Sequence, residues 1–324
     1  MAAGVAIWMG FAYHAIRQRQ RKHVTWTRAM AAALEERGLK PRFDRHGVAW
    51  VDNGPWALLI NPPSSATASG RGGVARVVLR APPVDRIPQM TLRTAGAMTV
   101  IENLRLDDMK TGDQALDRRW TIDSSDPVAA RLALGAGARD AMKRLVPSTV
   151  DIDSQKLELS WGEVGTEIST MLERIHLTEE LVEGLQRGTW TDIGAALGLQ
   201  SPTHRDLHGT LDGVVVAARA SQNGTRVRAF RHSRLRAIHR SLPLEGAFPS
   251  QNPVLDRLIH VGGDPDLRER LQDPALVEPL LEVVHGWPGS FVDAEGVTLV
   301  SEELLTDQLP KALNAALRLA KALP

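Results

Sequence analysis

The residues best suited to bind a metal stand in the segment HRDLH. His204 and His208 lie four residues apart with Asp206 between them, and on a helix this spacing would put both imidazoles on one face. A proline precedes the segment and a predicted strand follows it, which favours ordinary surface histidines instead. Asp151 and Asp153 form an acidic pair in a short predicted hairpin, where outward charges are typical of a solvated strand. We therefore predict no metal and no other cofactor.

The sequence lacks the motifs of the common catalytic classes. Glycine-rich tracts at residues 70–73 and 135–139 have neither the spacing nor the strand-then-helix placement of a phosphate-binding loop. No G-x-S-x-G, H-E-x-x-H or kinase-type motif occurs. Because there is no cysteine, disulfides, thiolate metal ligands and cysteine nucleophiles are excluded. No catalytic residue is predicted, and an enzyme of unrecognised type remains an alternative.

Arginines are concentrated at residues 219–240. In strand geometry Arg226, Arg228 and Phe230 would share one face, which could meet phosphates or stack a base. A solvated face is the first interpretation, because exposed faces of antiparallel strands are commonly charged. Anionic membrane headgroups, a protein partner and, least favoured, nucleic acid are the alternatives. The candidate anion patch consists of Arg226, Arg228, Arg231, Arg234, Arg236 and Arg240.

One motif occurs twice in the chain. LDRRWTIDSSDP at residues 116–127 returns in shortened form as LDRLIHVGGDP at residues 255–265. Alternate residues of a strand share a face, so each copy predicts a core-facing set. The closing Asp-Pro pair is typical of a helix start, where Asp caps free N–H groups and Pro takes the first position. The core-facing sets are Leu116, Arg118, Trp120 and Ile122, and Leu255, Arg257, Ile259 and Val261.

The arginine of each copy requires a partner on this interpretation, because burying an unpaired guanidinium is costly. We predict that Arg118 and Arg257 lie at the strand entrance and pair with a carboxylate. An anion site repeated in both copies is the alternative. Together with the preceding Asp117 and Asp256, these arginines are the candidate residues of the repeated motif.

Landmarks around the motif recur in the same order, which predicts an internal duplication. Each copy reads as a tryptophan-containing helix, antiparallel strands, the LDR strand, a helix, a hairpin and a long helix. The predicted fold is α+β, with two homologous modules at residues 23–187 and 188–324 after a segment at residues 1–22. The clearest hairpin spans residues 207–232, with Asn223-Gly224 as its primed turn.

Length and composition agree with two folded domains. The chain has 324 residues, of which 43% are hydrophobic and 24% charged, values typical of folded proteins that bury a core. The net charge of +1 argues against a protein that coats nucleic acid, although a local basic patch remains compatible with it.

The chain opens with an apolar segment. Residues 2–16 are almost wholly apolar and the basic sequence RQRQRKH follows them, so the positive-inside rule would place the remaining chain in the cytoplasm. A helix of this length spans about 22 Å, short of the roughly 30 Å hydrocarbon core. We predict a single membrane anchor here. An amphipathic or core-packed first helix and a signal peptide are the alternatives.

The combined pattern resembles bacterial membrane-anchored proteins of domain-of-unknown-function type. It consists of the apolar N-terminal segment, W-x-x-(I/M)-(A/G)-x-x-L, the hairpin HGTLDGVVV, then LDR, a short strand, DP and a helix. The resemblance covers most of residues 188–323 and residues 113–161, whereas residues 40–105 depart from it. It implies membrane tethering and no assigned catalytic residues.

These observations predict a non-catalytic binding or scaffolding protein at the cytoplasmic face of a bacterial inner membrane. Residues 2–16 would contact the membrane and a protein partner could bind elsewhere, while the oligomeric state stays open. The alternative is recognition of anionic lipid or nucleic acid by the basic hairpin at residues 219–240.

Overall fold

A computed structural model describes residues 25–43, 49–53, 56–61, 75–80, 87–94, 109–145, 149–153, 156–161 and 168–324. The chain divides into two compact units, Met1–Gln186 (unit 1) and Arg187–Pro324 (unit 2). Each unit contains an antiparallel sheet and several helices. The predicted α+β class is therefore confirmed.

Unit 1 begins, among its described residues, with helix α1 at residues 25–35. Its strands are β1 (Arg42–Phe43), β2 (Ala49–Asn53), β3 (Trp56–Asn61), β4 (Ala75–Arg80), β5 (Met90–Thr94), β6 (Trp120–Ser124), β7 (Thr149–Ile152) and β8 (Lys156–Trp161). Its further helices are α2 (Gln114–Asp117), α3 (Pro127–Ala133) and α4 (Ala136–Arg144). Helix α5 (Ile168–Leu197) leaves helical geometry at Gly188, where φ is 58° and ψ is 169°, and its last turns belong to unit 2.

Unit 2 continues from α5 into a sheet whose strands alternate with short helices. The strands are β9 (Gln200–Thr203), β10 (Asp206–Leu211), β11 (Val214–Ser221), β12 (Gly224–Phe230), β13 (Leu235–His239), β14 (Ala247–Phe248), β15 (Ile259–Gly263), β16 (Phe291–Asp293) and β17 (Gly296–Ser301). The α-helices are α6 (Pro253–Leu258), α7 (Pro274–Val284) and α8 (Leu309–Ala322), with 3-10 turns at Pro265–Arg268 and Arg270–Gln272.

The two sheets have the same strand order. In unit 1 the order is β1-β2-β3-β4-β8-β7-β5-β6. In unit 2, taken from β9, it is β9-β10-β11-β12-β17-β16-β13-β15, with the two-residue strand β14 at the edge. Matching β9 to β1 and proceeding along the chain gives the same neighbours at every position except that edge.

The apolar residues of the repeated motif lie in the cores, as predicted. Trp120 and Ile122 alternate with less buried residues along β6 and are each 1% exposed. Ile259 and Val261 occupy the corresponding places on β15, each 2% exposed. Period-two burial of this kind is how a strand with one covered face contributes to a core.

The Asp-Pro pairs cap helices, which also confirms the prediction. The Asp126 carboxylate accepts a hydrogen bond from the Ala129 N–H at the start of α3. Asp264 accepts one from the Asp266 N–H, but the turn that follows it is a 3-10 turn rather than the predicted α-helix.

The segment at residues 207–232, which was predicted as one hairpin, contains the three strands β10, β11 and β12, and its primed turn is not at Asn223-Gly224. Asn223 is not in the left-handed region, and only Gly224 has positive φ, at 105°. The primed geometry occurs instead between β10 and β11, where Asp212 and Gly213 have φ values of 48° and 81°. An Asp-Gly pair favours this turn as well as Asn-Gly does, so the sequence alone does not decide between Asp212-Gly213 and Asn223-Gly224 as the primed turn.

The transmembrane prediction is corrected. Among the helices that the structure describes, none combines the length with the apolar character that a membrane span requires. Residues 2–16, on which that prediction and the membrane localisation rested, lie outside the described residues. The membrane assignment therefore has no structural support.

A glycine contact between α4 and α5 gives a test of packing in unit 1. A Cβ at Gly184 would lie 2.8 Å from the Ala138 Cα and closer still to its backbone nitrogen. Glycine to alanine in a helix interior ordinarily stabilises by about 1 kcal/mol. Here we expect Gly184→Ala to lower the free energy of unfolding by about 2 kcal/mol instead, because overpacking forces backbones apart.

Gly137 supplies the matched control for this test. A Cβ there would lie 3.6 Å from the Gly184 Cα, an ordinary contact. Gly137→Ala should therefore be neutral or stabilising in the same urea titration. Equal behaviour of the two variants would contradict the close approach of α4 and α5.

Candidate functional site

The LDR triplets lie in short helices rather than in strands. Leu116 and Asp117 close α2, and Arg118 is its C-cap; Leu255, Asp256 and Arg257 lie within α6. The cause is a capping residue three positions before each leucine, since Asp113 and Asn252 accept hydrogen bonds from the first helical N–H groups. The strand therefore starts only after the triplet.

Both repeated arginines are exposed, so the predicted inward position is wrong. The helical turn places Arg118 and Arg257 toward solvent while the leucine of each triplet is 0% exposed. Neither arginine makes an ion pair with another described residue. Because water solvates an exposed guanidinium, neither arginine requires a carboxylate partner.

The aspartate of each triplet has a structural role. Asp117 accepts hydrogen bonds from the N–H and hydroxyl of Thr111, both at 2.8 Å, and from the Gly112 N–H at 3.2 Å. Asp256 accepts one from the Ser250 N–H at 2.7 Å. Each closes the loop that precedes its helix, and we call these two arrangements the Asp117 knot and the Asp256 knot.

The helix cap of the first knot is electrostatically favourable. The Leu116 N–H donates to the Asp113 carboxylate and lowers the pKa of that carboxyl, an effect that Lys143 reinforces at 3.3 Å. Unit 2 carries the uncharged Asn252 at the same place. Capping and loop closure thus account for the capping residue and the aspartate of the recurring motif.

The six arginines of the candidate anion patch lie on β12, on β13 and in the segments that follow these strands. Strand alternation puts Arg226 and Arg228 on the face of β12 that points away from the buried residues, and Arg236 on the same face of β13. Along the chain, Arg231 and Arg234 lie in the segment that connects β12 to β13, and Arg240 follows β13. Arg228, Arg234 and Arg236 already contact acceptor groups of the chain.

Part of the candidate anion patch already has partners, because two of its arginines pair with carboxylates and a third donates to a backbone carbonyl. Arg228 pairs with Glu295 at 2.7 Å, and Arg234 pairs with Asp264 at 3.8 Å. Arg236 donates to the Glu245 carbonyl at 3.2 Å. Of the six candidates, Arg226, Arg231, Arg236 and Arg240 make no ion pair within the described residues.

The outer face of β11 and β12 carries a compact mixed surface. Val215 is 52% exposed and Phe230 39% exposed, and the two are directly opposite in the antiparallel ladder. The Arg228 guanidinium lies 5.0 Å from the centre of the Phe230 ring, a cation–π distance. Farther along the same face, Arg219 is opposite Arg226. We call the set Val215, Ala217, Arg219, Arg226, Arg228 and Phe230 the β11–β12 patch.

The other face of these strands builds the core of unit 2. Val214, Val216, Val227 and Ala229 are all at most 5% exposed, and α8 packs against β11, β12 and β17. Each strand therefore has one face fixed by packing. The exposed valine and phenylalanine cannot be turned inward without a register shift that would expose the core set.

The HRDLH histidines do not come together on a helix. His204 is buried between β9 and β10, and His208 is exposed on β10. Asp151 is exposed on β7, while Asp153 accepts a hydrogen bond from the Lys156 N–H in the following turn. Across the described residues no group of three or more His, Asp or Glu side chains could hold a metal ion.

Sequence reasoning missed Val215 as a surface residue. The sequence VVVAARAS begins with three valines, so hydrophobicity does not show which of them is exposed. Alternate residues of a strand share a face, so Val215 must point away from the face that holds Val214 and Val216. It also missed Glu295, because that residue is 67 positions from Arg228, and only strand pairing between β12 and β17 brings the two together.

No family model, curated protein or solved structure matches the chain. The resemblance to bacterial membrane-anchored proteins of unknown function therefore stays a prediction, and the candidate site rests on geometry alone.

Proposed function

We propose that the chain is a non-catalytic binding protein and that the β11–β12 patch docks a protein partner. The observation that carries the proposal is the Val215–Phe230 pair, because two large apolar side chains stand exposed side by side on a rigid strand ladder. Aromatic residues and arginines on such a surface are the types that dominate the energy of protein interfaces.

A protein partner accounts for the patch better than an anionic polymer does. The basic hairpin would attract phosphates through its net charge, yet Arg228 and Arg234 already face carboxylates. What remains exposed is part apolar and part cationic. This composition favours a partner surface that supplies both an apolar contact and a few directed polar groups.

The proposal predicts that replacing Val215 and Phe230 by threonine abolishes partner binding. Threonine keeps β-propensity while it removes apolar contact, so the fold should persist. Affinity capture from the source cells, with mass-spectrometric quantification, should lose at least one polypeptide by about tenfold or more relative to the unchanged chain, as expected when interface anchors are truncated.

Val254 offers a matched control, since it is 53% exposed compared with 52% for Val215 and lies outside the patch. Val254→Thr should retain every captured polypeptide. The proposal fails if Val215→Thr/Phe230→Thr and Val254→Thr capture the same set, provided that circular dichroism shows all three proteins folded.

We also propose that the two units derive from an internal duplication. The shared strand order supports this, as do the two knots, in which Thr111 and Ser250 each contact an aspartate six residues later. A Thr-Trp-Thr sequence in the helix before the first strand occurs in both, with Trp26 in unit 1 and Trp190 in unit 2.

A further inference from the structure

The β11–β12 patch has an apolar end and a cationic end. Val215 and Phe230 are paired across the ladder at one end, and Arg219 and Arg226 are paired at the other. The two pairs are four positions apart along each strand, which corresponds to about 13 Å. The patch therefore presents two chemically distinct contact points at a fixed distance.

The cationic end has two guanidinium groups and only one carboxylate partner among the described residues. Like charges directly opposite each other in a sheet are destabilising, and here two guanidinium groups occupy such a pair. Asp206 lies 3.5 Å from Arg219, whereas Arg226 makes no ion pair with any described residue. An added carboxylate between them would relieve the repulsion and accept the directed N–H groups of both.

In the middle of the patch, Arg228 leaves no place for an added carboxylate. Arg228 already has Glu295 at 2.7 Å and Asp293 at 3.9 Å, and its guanidinium lies over Phe230. These carboxylates would repel an anionic group near the apolar end. The geometry thus permits an acidic contact at Arg219 and Arg226 and favours an apolar one at Val215 and Phe230.

We infer that the partner of the β11–β12 patch is an acidic peptide segment with a large apolar anchor. The segment places the anchor on Val215 and Phe230 and a carboxylate between Arg219 and Arg226. The separation of about 13 Å corresponds to four residues of extended chain or eight to nine residues of helix. This inference rests on the proposed function and specifies the chemistry of the partner.

A random peptide library tests the inference directly. The full chain is immobilised and used to select displayed peptides of about 16 residues, which span the patch even in helical form. Clones that also bind Val215→Thr/Phe230→Thr are removed. We expect the remaining peptides to be acidic and to combine a large apolar residue with Asp or Glu at one of the two spacings.

Charge variants then separate the acidic contact from general attraction. Arg219→Gln/Arg226→Gln should weaken the selected peptides about five- to tenfold, and raised salt should weaken them too. Arg240→Gln/Arg257→Gln removes the same charge from exposed arginines outside the patch and should leave binding unchanged. Equal weakening by both double variants would overturn the inference.

The remaining outcomes distinguish the inference from the proposed function. The patch-dependent peptides could be neutral or basic, or could bind Arg219→Gln/Arg226→Gln as well as the unchanged chain. Either result would contradict the inference of an acidic segment but would still support the β11–β12 patch as a docking surface. A library without any patch-dependent peptide would overturn both. Binding of a single-stranded oligonucleotide or phosphatidylglycerol vesicles that is lost in Arg219→Gln/Arg226→Gln would assign the cationic end to phosphates and overturn the inference.

Discussion

Replacing Trp120 by alanine should lower the free energy of unfolding by about 3–5 kcal/mol. The side chain is 1% exposed and belongs to the core of unit 1. It stands at the first position of β6, where it packs one end of an edge strand. Its loss removes buried apolar surface and leaves a cavity that the strand cannot collapse to fill. Urea denaturation followed by circular dichroism measures the effect.

Trp120→Phe is the informative control. The indole Nε1 is buried without a hydrogen-bond partner among the described residues, and an orphan donor of this kind costs about 1–3 kcal/mol. Phenylalanine removes the donor together with part of the volume, so a smaller loss, on the order of 1 kcal/mol, is expected. A loss as large as that of Trp120→Ala would show that the indole N–H is stabilising and would contradict the packing explanation.

Periodicity predicted the core because it depends only on which residues can be buried together. Trp120, Ile122, Ile259 and Val261 have the parity of a half-buried strand, and the structure buries all four. The same parity failed two residues before Trp120. Arg118 fits the strand pattern by count, but the cap at Asp113 starts a helix, and a helix rotates successive side chains by about 100° rather than 180°.

The candidate site was less accessible to sequence reasoning because it depends on long-range pairing. The arginines of residues 219–240 were visible as a cluster, but their partners were not. Glu295 reaches Arg228 only because β17 pairs with β12, and this strand pairing is specified by the whole sheet. The cluster therefore indicated a solvated face, with an anion patch as the alternative. It did not indicate that carboxylates pair with Arg228 and Arg234.

The repeated motif has the same place in the strand order of both sheets. In both units the helix that carries this aspartate lies, along the chain, between two strands that pair with each other, β5 and β6 in unit 1 and β13 and β15 in unit 2. A chain that crosses between neighbouring antiparallel strands must close a loop and satisfy its backbone N–H groups. The aspartate of the triplet does both.

Substituting Asp117 by alanine should therefore destabilise unit 1 by about 3 kcal/mol. Three donors lose their acceptor, and Thr111, which supplies two of them, is only 6% exposed. Hydrogen bonds to charged groups are worth about 1.5–3 kcal/mol each and are not additive within one network. Hydrogen exchange should rise in peptides covering residues 109–124, and the urea midpoint should fall.

The Asp256 knot provides the comparison within the same molecule. Asp256 accepts from the Ser250 N–H, so Asp256→Ala should cost less, about 2 kcal/mol, and raise exchange around residues 250–263 rather than 109–124. Asp117→Asn should fall between the unchanged chain and Asp117→Ala, because an amide retains one acceptor oxygen. If Asp117→Ala and Asp256→Ala leave both the midpoints and the local exchange unchanged, loop closure is not the role of this aspartate. The recurrence of the motif would then point back to its exposed arginines, Arg118 and Arg257, as the residues that require a function.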